Sequence, residues 1–310
     1  MRWRSSPERL SSIMKIETLL IALDFSETAF AGARWAIQQF APENVTLLHV
    51  IDSPDRPRYA AALRLADEGL EATAREFSDR RLREFAKDLG PRAVRSEVRV
   101  GKPSAQITSV AREIGADLVV IGPHGDRPRP WNFLGTTAER VVRSCPVPVL
   151  VATNPELRPP QRILTPVDDA SITPTVLEWT RALAERWNAD VSLLHVWSNS
   201  LYSHIASMSY ATTRDEEAAQ NEIRMEMSEA AARWLDDMAR TGLDPARVTT
   251  TVRYGNAGEI AVETAAEAQA GLIVMGRRGS GLIEEAVLGS TVRTVLLGAR
   301  CPILVVTEPR

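Results

Sequence analysis

Two stretches of this chain share one glycine spacing, and that repeat constrains the fold more than any other feature. The first has Gly122, Gly125 and, across nine intervening residues, Gly135 followed by Thr136 and Thr137. The second has Gly276, Gly279 and, across nine again, Gly289 followed by Ser290 and Thr291. Each frame follows an apolar run, Leu118–Ile121 or Leu272–Met275, and each leads into helix-like sequence. A strand that ends in glycine before a helix lets backbone N–H groups approach an anion closely. Such a turn is the usual phosphate-holding element of an α/β fold.

The frames sit inside a longer internal repeat. Residues 101–151 align without a gap on 255–305, with about 15 identities in 51 positions. Upstream, Leu19–Asp24 matches Ile163–Asp168, Trp35 falls on Trp179, and Val45–Val50 matches Val191–Val196. The offset changes between His195 and Gly255, so the length difference lies in one connecting segment, where loops vary most readily. The repeat predicts two copies of one domain, at 16–153 and 162–310. Residues 1–15 read as a disordered arm, and 154–161, with Pro155, Pro159 and Pro160, as a stiff linker.

A length of 310 residues gives each copy enough chain for its own core. A net charge of −3 gives no electrostatic reason to expect nucleic acid, and no apolar run reaches a membrane span. The polar start Met1–Ile13 lacks the apolar centre of a secretory signal. Cys145 and Cys301 do not align in the repeat, so the expectation is two inert thiols in a reducing, cytoplasmic setting.

Strand-like and helix-like stretches alternate through both halves. Strands are expected near 17–23, 45–51, 94–100, 117–122 and 147–152, with helices near 27–40, 60–89, 104–115 and 136–144. The second half repeats this at 162–168, 190–197, 247–254, 271–276 and 302–307, with helices near 173–188, 214–241, 257–269 and 290–298. This alternation predicts an α/β protein of two tandem doubly wound domains. Each is a five-stranded parallel sheet with helices on both faces, Rossmann-like in its layers. Ligands of such sheets bind beyond the carboxyl ends of the strands, where the winding reverses. Asp24, Val50 and Gly122 fall at such ends, as do Asp168, Val196 and Gly276.

At these residues the chain resembles the universal stress protein family, in its tandem two-domain form with a fold like that of the adenine nucleotide alpha-hydrolases. The likeness rests on the doubled glycine frame, the first-strand aspartates, Leu-His-Val on the second strands and Cys-Pro-Ile-Leu-Val-Val at the end. It implies an ATP-binding regulatory protein of the stress response without fast turnover, with Mg or Mn accompanying the nucleotide. In this likeness Asp24 and Asp168 lie by the nucleoside and Val50 and Val196 by the adenine. Gly122, Gly125, Gly135, Thr136 and Thr137 would hold the phosphates in the first domain, and Gly276, Gly279, Gly289, Ser290 and Thr291 in the second. Domains of this family usually pair through the fifth strand, an edge with free N–H and C=O groups. The expectation is that Val147–Val151 and Ile303–Val306 pair within one chain, with a homodimer of tandem chains also open. Neither frame is a Walker A loop, since no Gly-Lys-Ser/Thr occurs.

The two sites are not expected to be equal. The second keeps Pro166 on its first strand, Ser280 and Gly281 in its turn, and Arg277 and Arg278 nearby. The first has Asp126, a like charge that costs a phosphate roughly 3 kcal/mol at about 5 Å and an effective dielectric of 20. It also has Pro128 and Pro130, which lack N–H donors. The second site is therefore favoured. Competing readings stay open at this point: Asp24 and Asp168 as helix caps, His49 and His195 as core histidines, and Trp35 and Trp179 as packing groups. Others are a tandem interaction module without nucleotide, or a slow ATPase.

Overall fold

The structure is a computed structural model that describes residues 15–52, 60–89, 93–123, 134–153, 158–198, 214–240, 242–277 and 288–308. The first half runs β1 (Thr18–Ala22), α1 (Glu27–Phe40), β2 (Asn44–Asp52), α2 (Ala60–Asp88), β3 (Ala93–Gly101), α3 (Pro103–Glu113), β4 (Leu118–Ile121), α4 (Thr136–Ser144) and β5 (Val149–Val151). The second runs β6 (Arg162–Pro166), α5 (Thr173–Trp187), β7 (Asp190–Trp197) and α6 (Arg214–Ala239). It continues through β8 (Val248–Tyr254), α7 (Ala257–Glu267), β9 (Leu272–Gly276), α8 (Ser290–Gly298) and β10 (Ile303–Val306). The elements follow the alternation read from the sequence. One unforeseen piece, a 3-10 turn at Pro245–Arg247, is capped by Asp244, whose Oδ1 accepts from Ala246 N at 3.0 Å.

All ten strands form one sheet in the order β3-β2-β1-β4-β5-β10-β9-β6-β7-β8. Every neighbouring pair is parallel except β5 and β10, which run antiparallel with Val149 opposite Val305, Leu150 opposite Leu304 and Val151 opposite Ile303. The fifth strands thus pair within the chain, as the sequence suggested. In each half the chain winds outward from its first strand to its third, then returns to the far side of the first. The winding reverses between β1 and β4, and between β6 and β9, which places a crevice at each of these points.

Helices cover both faces, so the inner strands are apolar throughout rather than alternating. One core joins Leu19, Ile21, Trp35 and Phe40 to Leu150, Trp179, Leu272 and Leu304 without a break at the domain seam. The other face is filled by α3, α4, α7 and α8 through Ile107, Val141, Ala261 and Val295. Trp35 and Trp179 are both buried, as packing groups should be. Around the seam, Trp187 lies 5.8 Å from Trp35 and 5.9 Å from Phe40, ring centre to ring centre. Arg186 Nη1 donates to the Gln39 carbonyl at 2.9 Å.

Local chemistry sets the element ends. Ser26 caps α1, its Oγ accepting from Ala29 N at 3.2 Å, with Glu27 in the first turn. The third strands end in Gly101 and leave β8 at Gly255 with φ of 139° and 141°, a backbone that side chains avoid. At the start of β1, Asp117 Oδ2 accepts from the N–H groups of Glu17 at 2.9 Å and Thr18 at 2.8 Å.

The seam yields a first prediction. Leu304 is 1% exposed and lies where both domains share one core. Leu304→Ala should cost about 2–5 kcal/mol, read from the urea midpoint of the full chain. A midpoint unchanged from the parent would show that the seam contributes little to stability.

Candidate functional site

The two crevices hold most of the residues singled out by sequence. In the first domain, Asp24, Val50, Gly122, Gly135, Thr136 and Thr137 all line one cavity of about 310 Å³. In the second, Pro166, Asp168, Val196, Gly276, Gly289, Ser290 and Thr291 line a larger cleft of about 930 Å³. Gly125, Gly279, Ser280 and Gly281 lie outside the described residues, as do His124, Arg278 and the 126–131 segment with its aspartate and prolines.

Arg277 is placed differently from the expectation. Its backbone N–H donates to Val306 O at 2.9 Å, and its guanidinium donates to the Cys145 carbonyl at 2.8 Å. It does not line the cleft. The side chain reaches across the seam to the end of α4 instead, because β9 lies beside β10 and so near the first domain.

One end of each cleft is formed by a helix start. Gly135 precedes α4 and Gly289 precedes α8, and neither helix has a side-chain cap. Elsewhere such caps exist: Asn256 Oδ1 accepts from Gly258 N at 3.0 Å and Glu259 N at 3.2 Å ahead of α7. The first N–H groups of α4 and α8 have no partner within their own helices and carry the positive end of the helix dipole. Among the described residues they face a cavity rather than a capping carboxylate, which suits an anion.

The aspartates do local work of a kind that sequence left open. Asp24 Oδ1 accepts from Ser26 N at 2.9 Å, and Asp168 Oδ1 accepts from Ala170 N at 3.1 Å. Both close a tight turn two residues ahead, yet the cap positions belong to Ser26 and Ile172. Asp168 is tied down further by Thr173, whose hydroxyl donates to the Asp168 carbonyl at 2.7 Å. Phe25 is held at φ 66°, a costly conformation for an aromatic residue, and nothing in the sequence announces it. Its ring stacks on His49 at 4.2 Å and lies under Arg81, 4.7 Å away.

The histidines have the same task in both halves. His49 Nδ1 contacts the Leu23 carbonyl at 2.7 Å, and His195 Nδ1 contacts the Val167 carbonyl at 3.0 Å. A carbonyl only accepts, so each Nδ1 carries the proton. Each ring therefore pins the peptide just before a cleft aspartate. Val50 packs with the core on one face of the sheet, while His49 stacks with Phe25 towards the other. In the second domain Trp234 meets His195 edge-on at 4.9 Å, whereas Met225 and Met227 are exposed. Pro103 and Ile107 of α3 also wall the first cleft, a role hinted at only by the preceding strand-end Gly101.

Neither cysteine is paired with another. Burial raises the Cys145 thiol above its usual value and pushes Cys301 up to about 12, so both stay protonated and unreactive near neutrality.

The universal stress protein family model matches residues 15–153 and again 160–307. The chain belongs to the universal stress protein family. A universal stress protein of Mycobacterium tuberculosis is 23% identical over 325 aligned positions, covering 96% of this chain and all of that one. One from Methanocaldococcus jannaschii is 32% identical over 150 positions, 43% of this chain and 92% of its own. The crystal structure of a universal stress protein from Archaeoglobus fulgidus superposes with a TM-score of 0.61 at 18% identity, covering 95% of this chain and 97% of that one. That likeness extends the fold agreement across both halves. Among the described residues, no helix is long and apolar enough to cross a membrane.

The half-buried His49 predicts a pH effect. Burial lowers the His49 pKa below its ordinary 6.5, opposed by its bond to Leu23 O and by Asp24, while Arg81 lowers it further. The unfolded chain therefore binds the proton more readily, so stability falls as pH drops from about 6.5 towards the folded value. His49→Gln, which keeps a donor for Leu23 O, should flatten that part of the profile. Identical urea midpoints for parent and variant from pH 7.5 to 5 would refute the assignment.

Proposed function

We propose that this protein binds ATP, most tightly in its second domain, and serves as a nucleotide-responsive regulator rather than a fast enzyme. The observation that carries this reading is the matched pair of clefts at the winding reversals. Each combines an aspartate for ribose hydroxyls, a valine for the base and an uncapped helix start behind a glycine for phosphates. Membership of the family supports the same reading.

The asymmetry draws support from cavity size. The second cleft, at about 930 Å³, has room for a nucleoside triphosphate, whereas about 310 Å³ is at the lower limit for small-molecule sites. Among the described residues, no group of three His, Cys, Asp or Glu side chains is arranged to hold a metal. Among the described residues the carboxylates lining the clefts are Asp24 in the first and Asp168 and Asp169 in the second, fewer than a protein-only Mg or Mn site uses. Mg or Mn accompanying the nucleotide would be held largely by the phosphate oxygens, and no catalytic step is assigned to it.

Calorimetry of the full chain with ATP and Mg tests the proposal. One tight equivalent is expected, with a weaker second site. Asp168→Asn should weaken the tight site by about tenfold or more, the loss of a charge-assisted hydrogen bond, while Asp24→Asn leaves it unchanged. Absence of binding heat, with no nucleotide released from the purified protein on denaturation, would favour an interaction module instead. Two equal sites would remove the asymmetry.

A further inference from the structure

The end of the sheet opposite the clefts differs between the two halves in a way that points to a second site. In the first domain that corner is closed by an acid: Asp117 accepts from the N–H groups of Glu17 and Thr18. The repeat carries this geometry into the second domain. Asn44 N donates to Glu17 O at 2.9 Å or less, and Asp190 N to Gln161 O in the same way; Asp117 N donates to Thr18 O as Gly271 N does to Arg162 O. Gln161 and Arg162 are thus the counterparts of Glu17 and Thr18, and Gly271 is the counterpart of Asp117.

Glycine has no carboxylate to offer those N–H groups, and the chain cannot supply one at that position. A Cβ on Gly271 would come within 2.9 Å of the Pro160 Cα. What the second domain has there is a groove of about 690 Å³, with Gln161 and Gly271 in its lining. Its charge has changed sign as well. Arg300 stands where the first domain has Pro146, Gln161 replaces Glu17, and Arg158 joins from the linker. Among the described residues no acidic side chain lines the groove, in a chain whose net charge is −3. Trp187 forms one wall, and its indole N–H is buried with no acceptor among the described residues.

We propose that this groove binds a small organic oxyanion, a carboxylate or phosphoryl group, in the role that Asp117 fills in the first domain. The anion sits by the Gln161 N–H group between the Arg158 and Arg300 guanidiniums, and its apolar body lies against Trp187 and Pro302. The site also bridges two parts of the molecule. Trp35 of α1 donates its indole N–H to the Arg158 carbonyl at 3.2 Å, so the rim is anchored to the first domain while the floor belongs to the second. The proposal is independent of nucleotide binding in the clefts.

Amide and indole NMR signals of the full chain, titrated separately with inorganic phosphate, phenyl phosphate and benzoate, test it. Saturable movement of the Gln161 amide and Trp187 indole signals is expected for at least one probe. The Arg158→Ser/Arg300→Ser variant should weaken that binding by about tenfold or more; both side chains are exposed, so the fold, checked by the remaining signals, should persist. Tighter binding of benzoate assigns the site to carboxylates, and tighter binding of phenyl phosphate to phosphate esters. Movement confined to residues around Gly276 and Gly289, no movement at millimolar concentrations of any probe, or an effect indifferent to the two arginines would each overturn the proposal.

Discussion

The pairing of β5 with β10 is the contact on which the rest of the architecture depends. A parallel five-stranded sheet leaves its last strand with one row of unpaired N–H and C=O groups, an edge that must be covered or shared. Here the two halves cover each other's edge with three residue pairs, Val149 to Val305 at one end and Val151 to Ile303 at the other. The sheet becomes continuous, and so does the core beneath it, from Leu19 to Leu304. The remaining edges are β3 and β8. Arg95, Glu97 and Arg99 on β3 form an ion-pair cluster with Glu113, and such charges discourage further pairing.

From that seam the positions of both clefts follow. Each half winds outward and reverses, and the reversal point lies two strands from the seam in the first domain and two in the second. The glycine-ended strands β4 and β9 are therefore the ones that flank the seam strands. This explains why Arg277, one residue past the second cleft's first glycine, reaches the Cys145 carbonyl at the end of α4. The other end of α4 begins at Thr136, in the wall of the first cleft. A single helix and one guanidinium span the distance between the two sites.

Much of this was legible in the sequence because it depends on period and repetition. Apolar runs of strand length, helices of amphipathic spacing and a doubled frame with constant offsets specify the layers, the winding and the strand ends. The cleft residues Asp24, Val50, Asp168 and Val196 were found by that logic alone. The unseen parts depend on contacts between distant residues. The φ of Phe25 is set by the Asp24 turn and the His49 ring, and no local pattern encodes it. Arg277 looked like a phosphate ligand because composition near a glycine turn does not say which way a side chain leaves the strand. The substitution of Gly271 for Asp117 was visible in the alignment, but its meaning needed the two N–H groups that Asp117 holds.

A shared edge between two segments of one polypeptide has a further consequence. An assembly of two identical chains forms according to their concentration, and every amino-acid change appears in both partners at once. Here the partner strand is tethered, so the pairing is intramolecular and does not depend on protein concentration. Each half always meets the same, different half. Arg277 has Pro123 as its counterpart, and Gly271 has Asp117, so changes of this kind are inherited by one side only. Fusion thereby frees the two domains to diverge, without either having to remain the other's mirror image.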